Sequence, residues 1–230
     1  MLCLMRHAEI DDIKLKECDN CDLVKHCGVE CREDHKAEHK GVCKKRAAEL
    51  RDELLFKQPE NSCFGNCPIC MIPLPLDTTK SVMCMCCSKV ICIGCNYANA
   101  HREIRGRLAP SCPFCRESTN RTVEEWDKQR MKRIEAGDPA AMVQQGGDHL
   151  INEEYQSAIE YFAKAAALGS TWAHFNLACL YHEGKGVEKD ERKETYHLEE
   201  AAIGGHPGAR YNLGSYQWRI KGNAERAVKH

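Results

Sequence analysis

Small metal-stabilised α+β fingers followed by an all-α helical-repeat solenoid is the fold class that this sequence predicts. Three observations predict it. Seventeen cysteines stand in 230 residues, and all but Cys179 lie in the first half. The pairs Cys67/Cys70, Cys92/Cys95 and Cys112/Cys115 are spaced C-x-x-C. From about residue 137 cysteine almost vanishes, Ala, Gly and Tyr rise, and the chain begins to repeat itself.

The stretch from Cys67 to Cys115 carries the densest chemistry. It reads Cys67-Pro-Ile-Cys70, then Cys84, Cys86 and Cys87, then Cys92-Ile-Gly-Cys95, then Cys112-Pro-Phe-Cys115. Each C-x-x-C pair is a bidentate clamp, because two intervening residues let a tight turn aim both sulfurs at one tetrahedral ion. Two clamps complete a closed structural zinc site. A disulfide framework is the alternative, and it requires an oxidising compartment that nothing in the sequence indicates. Pro73 and Pro75 mark an irregular loop, Lys89-Val-Ile a short strand, and Asn96 to Arg107 a small helix. His101, on that helix among Arg102, Glu103 and Arg105, reads as a surface residue; Cys63 reads as an unpaired thiol.

This segment, residues 63–117, resembles a RING finger. The resemblance implies interleaved zinc sites. Cys67, Cys70, Cys92 and Cys95 would hold one ion. Cys112, Cys115 and two residues of the middle cluster would hold the other. Lys89 stands where that family usually has a histidine, so an all-cysteine variant fits better, with Cys87 as fourth ligand and Cys86, or else Cys84, as third. The resemblance also implies ubiquitin ligase activity. Ile69 and Pro113 would contact a ubiquitin-conjugating enzyme, and Arg116 would be the linchpin cation bridging that enzyme to ubiquitin. Such a ligase needs no covalent intermediate, only orientation of a pre-activated bond. The plain alternative is that Ile69 packs a small core, Arg116 is a solvated charge, and the finger only binds partners.

Residues 1–46 hold a second metal pattern, Cys18-x2-Cys21-x5-Cys27-x3-Cys31-x7-His39-x3-Cys43. It resembles the later part of a MYND finger. The family's interleaving implies one zinc on Cys18, Cys21, His39 and Cys43, and half a site at Cys27 and Cys31. Either Cys3 and His7 complete that half site, or the domain is truncated at its start. The total is therefore three to four structural Zn2+ ions. His26 and Lys36 replace family aromatics, which weakens an inherited peptide groove, and His35 competes with His39 less well on spacing. The stretch 33–46 reads as a short exposed helix. A second helix over 44–60 has Ala47, Leu50 and Leu54 as its apolar stripe and Pro59 as its stop, and residues 47–62 form a helical linker.

Residues 118–136 read as a charged connector helix, with opposite charges at i,i+4 such as Glu124 and Lys128. Residues 137–230 repeat. Ala141-Met-Val-Gln-Gln-Gly146, Ala173-His-Phe-Asn-Leu-Ala178 and Ala209-Arg-Tyr-Asn-Leu-Gly214 align at spacings of 32 and 36 residues. Ala158, Phe162, Ala165 and Ala166 form one helical face; Ala173, Leu177, Leu180 and Tyr181 form the next. Gly169 and Gly205 end helices. These units resemble Sel-1-like repeats, relatives of the tetratricopeptide repeat, with Gly184-Lys-Gly186-Val187 as the inter-helix turn. The resemblance implies an α-solenoid with a concave protein-binding face. The third repeat is incomplete, with a second helix of about one turn, and the ragged start and end suggest a fragmentary chain. The order of segments resembles algal proteins that join a RING finger to Sel-1-like repeats.

A net charge of −1, with 43% hydrophobic and 29% charged residues, suits a soluble globular protein and disfavours a broad nucleic-acid surface. No apolar run suits a signal peptide or membrane helix, so cytoplasm, nucleus or both is the expected location. Two functions follow: a ubiquitin ligase recruiting a conjugating enzyme through the finger and substrates through the repeats, or a non-catalytic protein-binding scaffold. Chelation is expected to unfold residues 63–117 and leave the repeats helical.

Overall fold

A computed structural model of the chain describes residues 16–18, 21–26, 36–57, 63–219 and 222–229. The chain divides into two compact units, Met1–Lys57 and Gln58–His230.

In the first unit an antiparallel hairpin pairs β1 (Lys16–Cys18) with β2 (Cys21–His26), and Cys18 lies opposite Cys21. Helix α1 (Lys36–Phe56) packs against β2. It is one continuous helix of 21 residues where the sequence suggested two. Its inward face also differs from the expected stripe: Leu54 is exposed and Leu55 is buried at 1%. Residues 47, 51 and 55 are spaced i, i+4 and i+8, so Leu55 continues a face through Ala47 and Arg51 that apolar counting alone passes over. Cys27, Cys31, Cys3 and His7 lie outside the described residues. Cys18 and Cys21 are described as backbone of the hairpin, and His39 and Cys43 lie one turn apart on α1.

The second unit opens with a small finger. Strands β3 (Ser81–Cys84) and β4 (Lys89–Cys92) pair antiparallel, with Ser81 opposite Cys92 and Cys84 opposite Lys89. Helix α2 (Ile93–Gly106) follows β4 directly, and its N-cap Cys92 accepts from the Cys95 N–H through sulfur. The finger core is built from Cys67, Leu74, Cys84, Cys86, Ile91 and Cys112. So few apolar side chains give a thin core, and chains this small usually need a metal or disulfides as well.

Helix α3 (Val123–Glu135) begins in a reciprocal cap between Thr122 and Glu125. It is more than a solvated connector. Trp126, near its start, packs against the finger core, and Ile134, near its end, packs against the repeat core. Arg130 joins it to Asp148 at 2.6 Å.

The repeats follow as α4 (Pro139–Ile151), α5 (Tyr155–Ala167), α6 (Thr171–Glu183), α7 (Glu191–Ile203), α8 (Pro207–Arg219) and the single turn α9 (Ala224–Ala227). Each packs on the next. Asp138, Ser170 and Asp190 cap α4, α6 and α7 by accepting backbone N–H bonds. Ala158, Phe162, Ala165, Ala173 and Leu177 are buried in one core. The alanines let helices approach closely, while Phe162, buried at 1%, supplies the apolar area. Filling that volume is worth about 3–5 kcal/mol against truncation to alanine. At Gly146 a Cβ would stand 2.7 Å from Phe162 Cε1, so glycine there is what admits the ring. In the turn between α6 and α7, Gly186 has φ +70° and lies against Tyr155, which demands a residue without Cβ.

Candidate metal centre

The two C-Pro-x-C knuckles share one backbone design. Cys67 N–H donates to Ile72 O (2.9 Å), and Met71 N–H to Cys67 O (2.8 Å). At the other knuckle Cys112 N–H donates to Glu117 O (2.7 Å), and Arg116 N–H to Cys112 O (3.0 Å). Each turn closes on a left-handed residue, Met71 with φ 61° and Arg116 with φ 66°. Turned this way, the backbone aims N–H groups at the first sulfur of each pair.

Two groups of four sulfurs result. Cys67, Cys70, Cys92 and Cys95 form one; Cys86, Cys87, Cys112 and Cys115 form the other; within each, all sulfurs lie within 4.8 Å of one another. Both could hold zinc. Four sulfurs at about 2.3 Å from a tetrahedral zinc stand about 3.8 Å apart. Cys70 and Cys92 sulfurs are 3.7 Å apart, Cys87 and Cys112 4.0 Å, and Cys86 and Cys115 3.3 Å. A disulfide needs about 2.05 Å, so these spacings suit an ion and not a bond.

The thiols' proton affinities fit the same donor set. Burial raises Cys67, but backbone hydrogen bonds at Cys70, Cys92 and Ile69 outweigh it and bring it down to about 6. Burial likewise opposes, and backbone bonds at Cys115 and Phe114 overcome, at Cys112, which also falls to about 6. Cys95, Cys86 and Cys87 go the opposite way. Burial and then neighbouring sulfurs push Cys95 up to about 12 and raise Cys86 and Cys87. The backbone favours an anion at Cys67 and Cys112, and anions at Cys95, Cys86 and Cys87 are disfavoured unless a cation neutralises them.

Cys84 stands outside both groups. It ends β3, is buried at 8%, and is raised to about 12 by burial and its Cys112 neighbour. The doublet Cys86-Cys87 sits instead in the turn after β3, where Cys87 and Ser88 N–H groups both donate to Cys84 O. His101 is exposed and stacks on Tyr97, away from either group.

Ile69 and Phe114 occupy equivalent points of the two knuckles, each just before the second cysteine, and both are exposed at 42%. Pro113 is half-buried and Arg116 exposed. The Arg116 guanidinium donates to Asn99 Oδ1 at 2.9 Å, and Arg102 donates to the same oxygen. Asn99 in turn donates to Glu103 and to Ser111 O. Glu103 is buried at 8% and takes three more contacts, from Ser111 N–H, the Ser111 hydroxyl and Arg102. The Ser111 hydroxyl bond is the main reason its carboxyl is held below the usual carboxylate range. Sequence reasoning did not find Asn99 or Glu103, since only the fold brings Ser111 and Arg116 to that face of α2.

In the repeats, a groove of about 340 Å³ runs between α6, α7 and α8, lined by Cys179, His182, Glu194, Asn212, Tyr216 and Arg219 among others. Within it His182 contacts Glu194 at 2.9 Å, and Tyr216 donates to Glu191.

Residues 140–170 and 173–206 each match the family model described as Sel1 repeat. Residues 140–206 are therefore Sel1 repeats, a class that generally mediates protein–protein interaction. Neither cysteine-rich segment matches a RING or MYND model. No curated protein matches the chain. No helix among the described residues is long and apolar enough to cross a membrane.

Proposed function

We propose that this chain is a RING-type ubiquitin ligase whose finger recruits a ubiquitin-conjugating enzyme and whose Sel1 repeats hold a protein substrate. The observation that carries it is the pair of interleaved four-cysteine groups, which leaves Ile69 exposed between two ligands and Arg116 exposed directly after the last. Ile69 and Pro113 would contact the conjugating enzyme, and Arg116 would hold its thioester-linked ubiquitin in a reactive orientation. The ions are structural, because a closed set of four thiolates leaves no position for an activated water. The N-terminal unit adds one or two more through Cys18, Cys21, Cys27, Cys31, His39 and Cys43. The protein acts in the cytoplasm, the nucleus or both, without nucleic acid or membrane as a partner.

Discharge of ubiquitin from a panel of charged conjugating enzymes to free lysine tests this. Acceleration by the zinc-loaded chain, lost in Ile69→Ala and Arg116→Ala with zinc retained, is the expected result. The second reading is a zinc-stabilised scaffold without transferase activity. It is favoured by Lys89, which stands where a RING finger usually has a histidine, and by the cysteine-rich segment matching no RING model. No acceleration with any member of the panel would leave the scaffold standing.

A further inference from the structure

A helical repeat leaves its first helix without a neighbour, and that open face must be covered if the array is to stay ordered. Here the cover is α3, and α3 is held by the finger. Gln129 donates from α3 to the carbonyl of Cys86 at 3.2 Å. Trp126 packs against the finger core. Arg133 donates to Ser88 and to Gln144 on α4, and lies 3.6 Å from Asp138. The finger also reaches the repeat directly. Asp138 divides its carboxylate: Oδ1 caps α4 by accepting from Ala140 and Ala141 N–H, and Oδ2 accepts from the Ser88 hydroxyl at 2.6 Å.

Ser88 and the Cys86 carbonyl share one property: both belong to the turn that presents Cys86 and Cys87. Ser88 follows Cys87 in a left-handed conformation, φ 56°, held by backbone bonds to Cys84 O. A four-residue hairpin strand flanks that turn on each side. An ion bound by two successive cysteines would fix it far more strongly than those bonds do.

We propose that the second cysteine group is the N-terminal cap of the Sel1 repeats, so that metal occupancy at Cys86, Cys87, Cys112 and Cys115 sets the order of the first repeat. Metal loss frees the turn, removes Ser88 from Asp138 at the start of α4 and Gln129 from Cys86, and leaves α3 covering α4 without the finger behind it. Repeat stability is a sum of nearest-neighbour terms, so the effect is largest in α4 and fades toward α8. This goes beyond the expectation that chelation leaves the repeats helical. The proposal rests on zinc binding at this group and not on ligase activity.

The test is hydrogen exchange of the full zinc-loaded chain, read by mass spectrometry, with metals counted by native mass spectrometry before and after chelation. Chelation is expected to speed exchange in residues 139–151 by about tenfold or more, with a smaller change in 171–183 and little in 207–219. Ser88→Ala with Gln129→Ala should keep the metal count and speed exchange in 139–151 by roughly fivefold, the loss of about 1 kcal/mol of hydrogen bonding. Unchanged exchange in 139–151 after the metals have left overturns the proposal while leaving the zinc sites intact. So does an equal rise through 207–219, which would be global loosening. A chain that binds no metal at the second group removes both the proposal and the zinc sites beneath it.

Discussion

The Arg116 guanidinium donates to the Asn99 side-chain oxygen at 2.9 Å, and Asn99 is itself held by Glu103 and Ser111 O. An exposed cation directly after the last cysteine of the finger is thus tied to a buried carboxylate through one amide. A tethered arginine loses less rotamer freedom when it meets a partner.

If the chain is a ligase as proposed, Asn99→Ala should lower the rate of ubiquitin discharge by roughly tenfold, and Arg116→Ala by as much or more, with the double variant no worse than Arg116→Ala alone. Both variants should keep their zinc. Additive losses would show that Asn99 acts on its own account and not by positioning Arg116.

Metal counting separates the middle cysteines. Cys86→Ser should lose one zinc from the full chain, because Cys86 faces Cys115 across the second group. Cys84→Ser should lose none, because Cys84 belongs to neither group. Native mass spectrometry reads both, and a zinc lost with Cys84 would reassign the ligand.

Neighbouring glycines in α4 should respond in opposite directions. Gly146→Ala drives a methyl into Phe162 and should cost about 1–3 kcal/mol. Gly147→Ala meets nothing within 4 Å and should gain about 0.5–1 kcal/mol from helix propensity. Urea denaturation checks the pair, and similar midpoints would contradict the close approach of α4 and α5.

Acid should weaken the repeats through His206. The ring is buried at 3%, lies between Trp172 and Phe175, and accepts from Ala209 N–H at Nδ1. Burial lowers its pKa from 6.5 to about 4. The unfolded chain then binds the extra proton first, so stability is full above pH 6.5 and falls as pH drops toward 4. The loss approaches about 3 kcal/mol at 1.36 kcal/mol per pH unit. His206→Gln should flatten this slope relative to the native chain while leaving acid release of zinc common to both. Parallel pH profiles of the two chains would show that His206 contributes nothing.

Much of the repeat was legible from residue spacing. Ala158, Phe162, Ala165 and Ala166 recur at helical period, and all four are buried. Periodicity reports a face because each side chain's direction follows from its position in the same helix. The metal centre was legible only in part. Pair spacing distinguishes a clamp from a lone thiol, but Cys84 and Cys86 look alike in the chain. They separate because β3 runs through Cys84 and ends there, which leaves Cys86 and Cys87 in the turn that faces Cys112 and Cys115.

By itself the sequence determined the properties that act over a few residues: the clamps, and the alanine and glycine positions of the Sel1 repeats. Only tertiary structure decided what joins these parts. Ser88 and Asp138 are 50 residues apart, and Arg116 and Asn99 are 17 apart. Such pairs carry no period and no spacing rule. They form because packing Trp126 on one core and Ile134 on another brings polar groups together that must then be satisfied where they meet.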